Sequence, residues 1–398
     1  MKFLWIRPTI DPTIGGPVTA ITQLTVALRE LGHPCEVVTL DARYASGVDD
    51  FPGVVHALGP SWGKYLYNPH LVAWLCENTN RFDVVIASGI WQYPSLAAWL
   101  ASKKVHFPYF VFTHGMLDPW FKVAYPLKHI KKWLYWPWAE YRVLRDASAV
   151  LFTSAEEKKL ASQSFWLYKA NEVVIKYGIG LPPGNPDIQR QIFLDKFPGL
   201  RKKRLVLFLS RIHLKKGCDL LIDAFAQIAN QDQDFHLVMA GPDQEGWQSI
   251  LMQQASQLGL DRRITWPGML NGDLKWGAYH AADVFILPSH SENFGIVVAE
   301  ALACSLPVLI TDKINIWREI KEDNAGIVET DTLDGTVRLL QKWLLLSQDE
   351  RQKMRTNAQN CFLNRYEIKM TAAKFVETIR LFLENDSRYS VKTHEQQK

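Results

Sequence analysis

The sequence is poor in cysteine. Only Cys35, Cys76, Cys218, Cys304 and Cys361 occur in 398 residues, and no two stand in C-x-x-C spacing. That pattern argues against a disulfide framework and a zinc ribbon, and it suits a reducing compartment. A long apolar run is missing too. Val84 to Ser102 carries no charge, but Ser88, Gly89, Gln92, Pro94 and Ser95 interrupt it. It reads as strand, turn and helix in a core, because a membrane span needs about 20 apolar residues. The start, MKFLWIRPTI, meets Pro8 and Asp11 too soon for a secretory signal and reads as a first strand. A cytoplasmic location is therefore expected. Charge excess is also lacking: a net +4 is too small to argue for nucleic acid. No solenoid-length repeat and no low-complexity tract occurs. What remains is a chain with 47% hydrophobic residues, long enough for two or three folded domains.

The most informative stretch is Phe285 to Pro307, FILPSHSENFGIVVAEALACSLP. Phe285, Ile286 and Leu287 form a short apolar run of the kind found in buried parallel strands. A polar loop with Glu292 follows. Then Val297, Val298, Ala301 and Leu302 recur at helical spacing until Ser305 and Pro307 end the helix. A strand thus feeds a loop and then a helix start that contains Gly295. Such a start points unpaired N–H groups and a positive dipole end outward, which suits a phosphate, and glycine permits close approach. Glu292 at the mouth and Glu300 about two turns into the helix could hold the two ends of a ligand whose diphosphate lies between them.

This pattern, Glu292…Glu300-Ala-Leu-Ala-Cys-Ser-Leu-Pro-Val, resembles the signature of retaining glycosyltransferases of the two-Rossmann-domain (GT-B) type. The resemblance is to family 4, glycosyl transferases group 1, in its bacterial cell-surface polysaccharide branch. It covers nearly the whole chain and is strongest from Leu205 to Thr311. It implies two Rossmann-like doubly wound α/β domains facing across a cleft, with a C-terminal helix crossing back to the first. It also implies a nucleoside-diphosphate sugar donor, a hexose-type sugar transferred with retention, and a glycan or lipid-linked acceptor. In that reading Glu292 meets sugar hydroxyls and Glu300 the ribose. Asn293, Phe294 and Gly295 line the diphosphate, and Gly268 and Met269 stand where the family places nucleobase contacts. Gly15 and Gly16 face donor phosphate or acceptor, and His114 touches the sugar or acceptor.

The first half supports the α/β reading from its own residues. Phe3–Arg7, a Gly15-Gly16 loop, a helix with Ile21, Leu24, Leu28 and Leu31 on one face, and the strand Glu36–Leu40 form the opening of a doubly wound sheet. The loop is not G-x-G-x-x-G, so a dinucleotide site is not indicated. Further strands are expected at Val54–Leu58, Val84–Ala87, Tyr109–Thr113 and Ala149–Phe152. His114 follows one of them, at the strand end where open sheets bind ligands. Ser154-Ala-Glu156-Glu157 reads as a helix cap without chemistry. Residues 119–145 interleave Trp120, Trp133, Trp136 and Trp138 with Lys122, Lys128, Lys131, Lys132, Arg142 and Arg145. That mixture fits either an anionic membrane surface or an amphipathic helix packed on the sheet.

Residues 1–180 are expected to form the acceptor domain. The Gly/Pro-rich break from Gly178 to Pro186 starts a linker over 181–204, and 205–365 form the nucleotide-sugar domain. A crossover helix at 366–386 and a flexible tail at 387–398 follow. After the strand Leu205–Leu209, Arg211, Lys216 and Gly217 stand at a strand end. This spacing fits a solvated basic loop or a diphosphate clamp, with Arg gripping by its fork and Lys as a point charge; the resembled family carries it with the glycine, which implies the clamp. Asp232-Gln-Asp234 precedes the strand His236–Ala240, away from the ligand edge, so no metal ligand is assigned and no metal cofactor is expected. Catalysis is assigned to His114, Glu292, Arg211 and Lys216. The rival readings are a sugar-nucleotide epimerase on the same fold, for which no acid–base pair can be named, and a non-catalytic sugar-nucleotide-binding protein.

Overall fold

Seven short apolar runs in the first part of the chain become one parallel sheet: β1 (Phe3–Arg7), β2 (Cys35–Thr39), β3 (Val54–Ala57), β4 (Val84–Ser88), β5 (Tyr109–Phe112), β6 (Ala149–Phe152) and β7 (Glu172–Val174). Their order is β3-β2-β1-β4-β5-β6-β7. All residues of β1, β2, β4, β5 and β6 are buried. That burial explains why they read as continuous apolar segments rather than alternating ones. The order reverses direction between β1 and β4, which pair in register Phe3 with Val84 through Ile6 with Ala87. Such a reversal leaves a crevice beyond the carboxyl ends of the two strands.

The computed structural model describes residues 1–385, so the tail expected at 387–398 lies outside the described residues. The chain divides into two units, Met1–Gly180 with the chain from Ile368 on, and Leu181–Glu367. The last helix, Ile368–Asn385, therefore belongs with the first sheet. Its buried side, Thr371, Ala372, Phe375, Val376 and Ile379, supplies the reason. Phe375 stacks on Trp5 at 6.2 Å and on Phe112 at 6.4 Å.

The second unit repeats the plan with β8 (Arg204–Leu209), β9 (Phe235–Ala240), β10 (Ile264–Gly268), β11 (Val284–Leu287), β12 (Val308–Thr311) and β13 (Gly326–Glu329), in the order β10-β9-β8-β11-β12-β13. Its reversal lies between β8 and β11, again a parallel pair. The fold is two Rossmann-like α/β units, as the sequence predicts.

One expectation needs correction. The stretch 181–204, expected as a linker, is part of the second unit. It contains the helix Pro186–Lys196, capped by Asn185, whose Phe193 and Leu194 are buried. This helix packs against the helix Gly272–Ala281, where Gly277 fits under the Gln189 carbonyl and Phe193. The aromatic and basic stretch forms three short helices, Trp120–Ala124, Pro126–Tyr135 and Glu140–Asp146. Part of it packs on the first unit, as one of the two readings expects. Trp136 is a core residue at 0% exposure, and Lys132 is seated over the rings of Trp91 and Phe121. Neighbouring Leu127 and Trp138 stand 77% and 70% exposed. No described helix is long and apolar enough to cross a membrane.

Candidate functional site

In the second unit the predicted residues gather at the carboxyl ends of β8 and β11, beside the reversal. After β8 the chain passes exposed Arg211 and makes a single turn, Leu214–Lys216, ending at Gly217. Gly217 has φ +65°, and a Cβ there would run into the Pro288 carbonyl, so glycine is required. The loop after β11 is fastened to this turn. The Ser289 hydroxyl donates to the Lys215 carbonyl at 2.9 Å, and the His290 N–H donates to the same oxygen at 2.9 Å. Lys216 and Glu292 are thereby brought together, and their side chains form an ion pair.

The Glu292 backbone is pinned from the other side. Its N–H donates to the Lys313 carbonyl at 2.9 Å and its carbonyl accepts from the Asn315 N–H at 3.0 Å. The loop after β12 therefore sets the position of this glutamate. Phe294 anchors the next turn, buried edge-on against Tyr366 with ring centroids 5.5 Å apart. Gly295, at φ +76°, then caps the helix Ile296–Ala303. Its carbonyl receives the Val298 N–H at 2.8 Å, so the N–H groups of Ile296 and Val297 are the ones that precede the first bond of the helix.

Lys216 is buried, and burial pushes its ammonium down to about 7, with Lys215 and Arg211 adding to the shift. Contact with the Glu292 carboxylate opposes that shift. The turn thus gathers Lys215, Lys216 and Arg211 around one buried position, an arrangement that favours an arriving anion.

Glu300 is 3% exposed. Lys275 donates to its Oε1 at 2.6 Å and the Tyr279 hydroxyl to its Oε2 at 3.0 Å. Burial, followed by Glu300, drives the Tyr279 phenol well above its usual value, so it remains a donor. Sequence reasoning missed both partners. They lie four residues apart on one face of the helix Gly272–Ala281, an i,i+4 pair with no distinguishing signal in a lone sequence. Gly268 ends β10 in a left-handed conformation, and its carbonyl accepts from the Gly241 N–H at 2.9 Å. Met269 beside it is 63% exposed. Asp232 and Asp234 lie just before β9, at the opposite ends of the strands, where Asp232 pairs with Arg204 and Asp234 with Lys203.

The first unit carries a separate polar group at its own reversal. Arg7 ends β1 and Ser88 ends β4. Arg7 is 5% exposed and donates to the Ser88 hydroxyl at 2.8 Å and to the Thr9 carbonyl at 3.0 Å. His114 follows β5. Its Nε2 lies 2.6 Å from Ser88 Oγ, and its Nδ1 meets the Tyr177 hydroxyl. Burial, then the charge of Arg7, holds the imidazole well below its usual 6.5, so it is neutral at pH 7. Both ring nitrogens are engaged within the unit. A sugar hydroxyl would meet this residue through its backbone, or after displacing Ser88 or Tyr177. Gly15, at φ +86°, caps the helix Gly16–Glu30, and its carbonyl receives the N–H groups of Val18 and Thr19. Gly16 opens that helix.

Comparison with known proteins gives a consistent result. The family described as glycosyl transferases group 1 matches residues 191–361, and the glycosyl transferase 4-like domain matches residues 15–178. Mannosylfructose-phosphate synthase of Agrobacterium fabrum is 27% identical over 345 residues, 77% of this chain and 73% of that protein. The D-inositol 3-phosphate glycosyltransferase of Nocardia farcinica is 29% identical over 203 residues, 48% of this chain and 43% of that protein. Among solved structures, Anabaena HepE in complex with UDP and glucose superposes with a TM-score of 0.75 at 20% identity, covering 96% of this chain and 99% of that one.

Proposed function

The chain belongs to the glycosyl transferases group 1, with a glycosyl transferase 4-like first domain, and is a glycosyltransferase; from that premise we propose that it is a retaining enzyme moving a hexose from a nucleoside-diphosphate sugar to a glycan or lipid-linked acceptor. The observation that carries this reading is the Lys216–Glu292 pair beside the helix start at Gly295, with Arg211 near enough for its charge to act on Lys216. A departing diphosphate develops negative charge. The Arg211 guanidinium, the Lys216 ammonium and the N–H groups at that helix start would stabilise it. Lys216 would be shared between Glu292 and the incoming phosphates, which frees the carboxylate for sugar hydroxyls. Glu300, oriented by Lys275 and Tyr279, keeps lone pairs for ribose hydroxyls. With positive charge already supplied by side chains, no divalent metal is needed. HepE bound to UDP and glucose supports a nucleotide-sugar donor.

The acceptor belongs to exopolysaccharide, O-antigen or glycolipid synthesis in this reading, and is met at an anionic membrane surface through residues 119–145. The test is a panel of UDP- and GDP-sugars read by mass spectrometry. Release of nucleoside diphosphate with a glycosylated product supports the proposal. An isomerised donor would indicate an epimerase, and binding without turnover a sugar-nucleotide-binding protein.

A further inference from the structure

We propose that Glu157 is a positioning residue for the turn that carries His114. As a sequence feature Glu157 looks like part of a helix cap, and the cap is present: Ser154 Oγ accepts from the Glu157 N–H at 3.0 Å. The carboxylate, however, leaves its own helix. Its Oε1 accepts from the Thr113 hydroxyl at 2.7 Å and from the Gly115 N–H at 2.6 Å. Its Oε2 accepts from the N–H and the hydroxyl of Thr153, both at 2.7 Å. One carboxylate, 3% exposed, therefore ties the end of β6 to the residues on both sides of His114.

Capping the helix Ala155–Ala161 does not require the bonds to Thr113 and Gly115. What those bonds hold is a costly backbone: His114 at φ +49° and Gly115 at φ +74° are consecutive left-handed residues. A side chain bearing a Cβ leaves that region unless its surroundings fix it. The imidazole is fixed by Ser88 and Tyr177, and the backbone beneath it by Glu157. Its consequence for the reaction rests on the reading that the His114 turn meets the sugar or acceptor. Small misplacements of such a group are expensive, with a shift of about 1 Å costing up to roughly a hundredfold in rate.

Two matched substitutions separate positioning from plain stability. Thr113→Val and Thr153→Val each delete one hydroxyl donor lying 2.7 Å from Glu157 and keep the side-chain shape. Only Thr113 belongs to the His114 turn. Turnover is followed on UDP-glucose or GDP-mannose, whichever the wild type cleaves, with melting temperature measured in parallel. Positioning predicts that Thr113→Val lowers kcat about tenfold with the donor KM unchanged, that Thr153→Val stays within about twofold, and that Glu157→Gln falls further than either. The Thr113→Val/His114→Ala double variant should be no slower than His114→Ala alone. Equal kcat in the two threonine variants, with His114→Ala impaired, overturns the positioning role alone. Full activity in His114→Ala overturns the reading of His114, and the role of Glu157 with it.

Discussion

Lys216 is the residue whose chemistry depends most on its surroundings. Burial pulls it down from 10.5 to about 7, with the Glu292 carboxylate pulling the other way. The sign of its effect follows directly. A lowered ammonium is fully charged below about 7 and is progressively lost as pH rises through that value. An arriving diphosphate restores the charge, so binding above pH 7 takes up a proton. We expect kcat/KM to fall along an alkaline limb well below the usual lysine range, and UDP binding at pH 8 to show proton uptake in calorimetry with buffers of different ionisation enthalpy. Lys216→Ala and Arg211→Ala should each lose roughly 2–4 kcal/mol of transition-state stabilisation while circular dichroism stays native. Near-normal turnover in both would remove the diphosphate clamp.

Among the elements, the clearest in the sequence were those whose residues are all buried. β11 announced itself as Phe285, Ile286 and Leu287, because a parallel strand covered on both faces has no polar alternation. β13 did not, because Gly326–Glu329 is half-buried and starts on a glycine. At the site, the loop and helix around Glu292 and Glu300 were legible from their local spacing. The partners that orient them were not: Tyr279 lies 21 residues from Glu300, and Tyr177 lies 63 from His114. Such pairs are set by strand order, which no local pattern encodes. The same holds for Gly217. Its place in the motif is visible, but its reason is the Pro288 carbonyl from another loop. Gly217→Ala would strain a left-handed backbone and push the Lys216 turn away from Glu292. A loss of more than about 1 kcal/mol in stability is expected, together with a drop in kcat. Melting temperature and initial rate measure the two effects, and an unaffected rate in a destabilised variant would detach the turn from catalysis.

On the scale of the whole molecule, the question is what the protein needs from outside itself. If Arg211, Lys216 and the helix start at Gly295 supply the positive charge at a diphosphate, as proposed, excess chelator should leave the rate largely intact. A rate abolished by chelator and restored by manganese would contradict that. The proposed lipid-linked acceptor would need access to a membrane surface, and no described helix is long and apolar enough to cross one. The helix Pro126–Tyr135 presents Leu127, Ile130 and Leu134 outward at 77%, 56% and 61% exposure, one stripe at helical spacing, with Val123 at 83% just before it. Exposed Lys128 and Lys131 lie on the same helix, and exposed Lys122 just before it. An apolar stripe beside lysines matches the headgroup layer of an anionic bilayer. Three lysines contribute about 3 kcal/mol near such a surface, roughly a hundredfold in partitioning before any apolar insertion. Sedimentation with phosphatidylglycerol-containing vesicles should therefore capture the wild type, with binding that weakens as salt rises. Pure phosphatidylcholine should capture far less. Leu127→Ser/Ile130→Ser/Leu134→Ser should lose the salt-resistant part, and Lys128→Ser/Lys131→Ser the salt-sensitive part. Lys132 is left unchanged because its ammonium is seated on Trp91 and Phe121. If anionic vesicles leave the wild type in the supernatant, or both variants bind as well as it does, this face has no role at a membrane and the acceptor is met in solution.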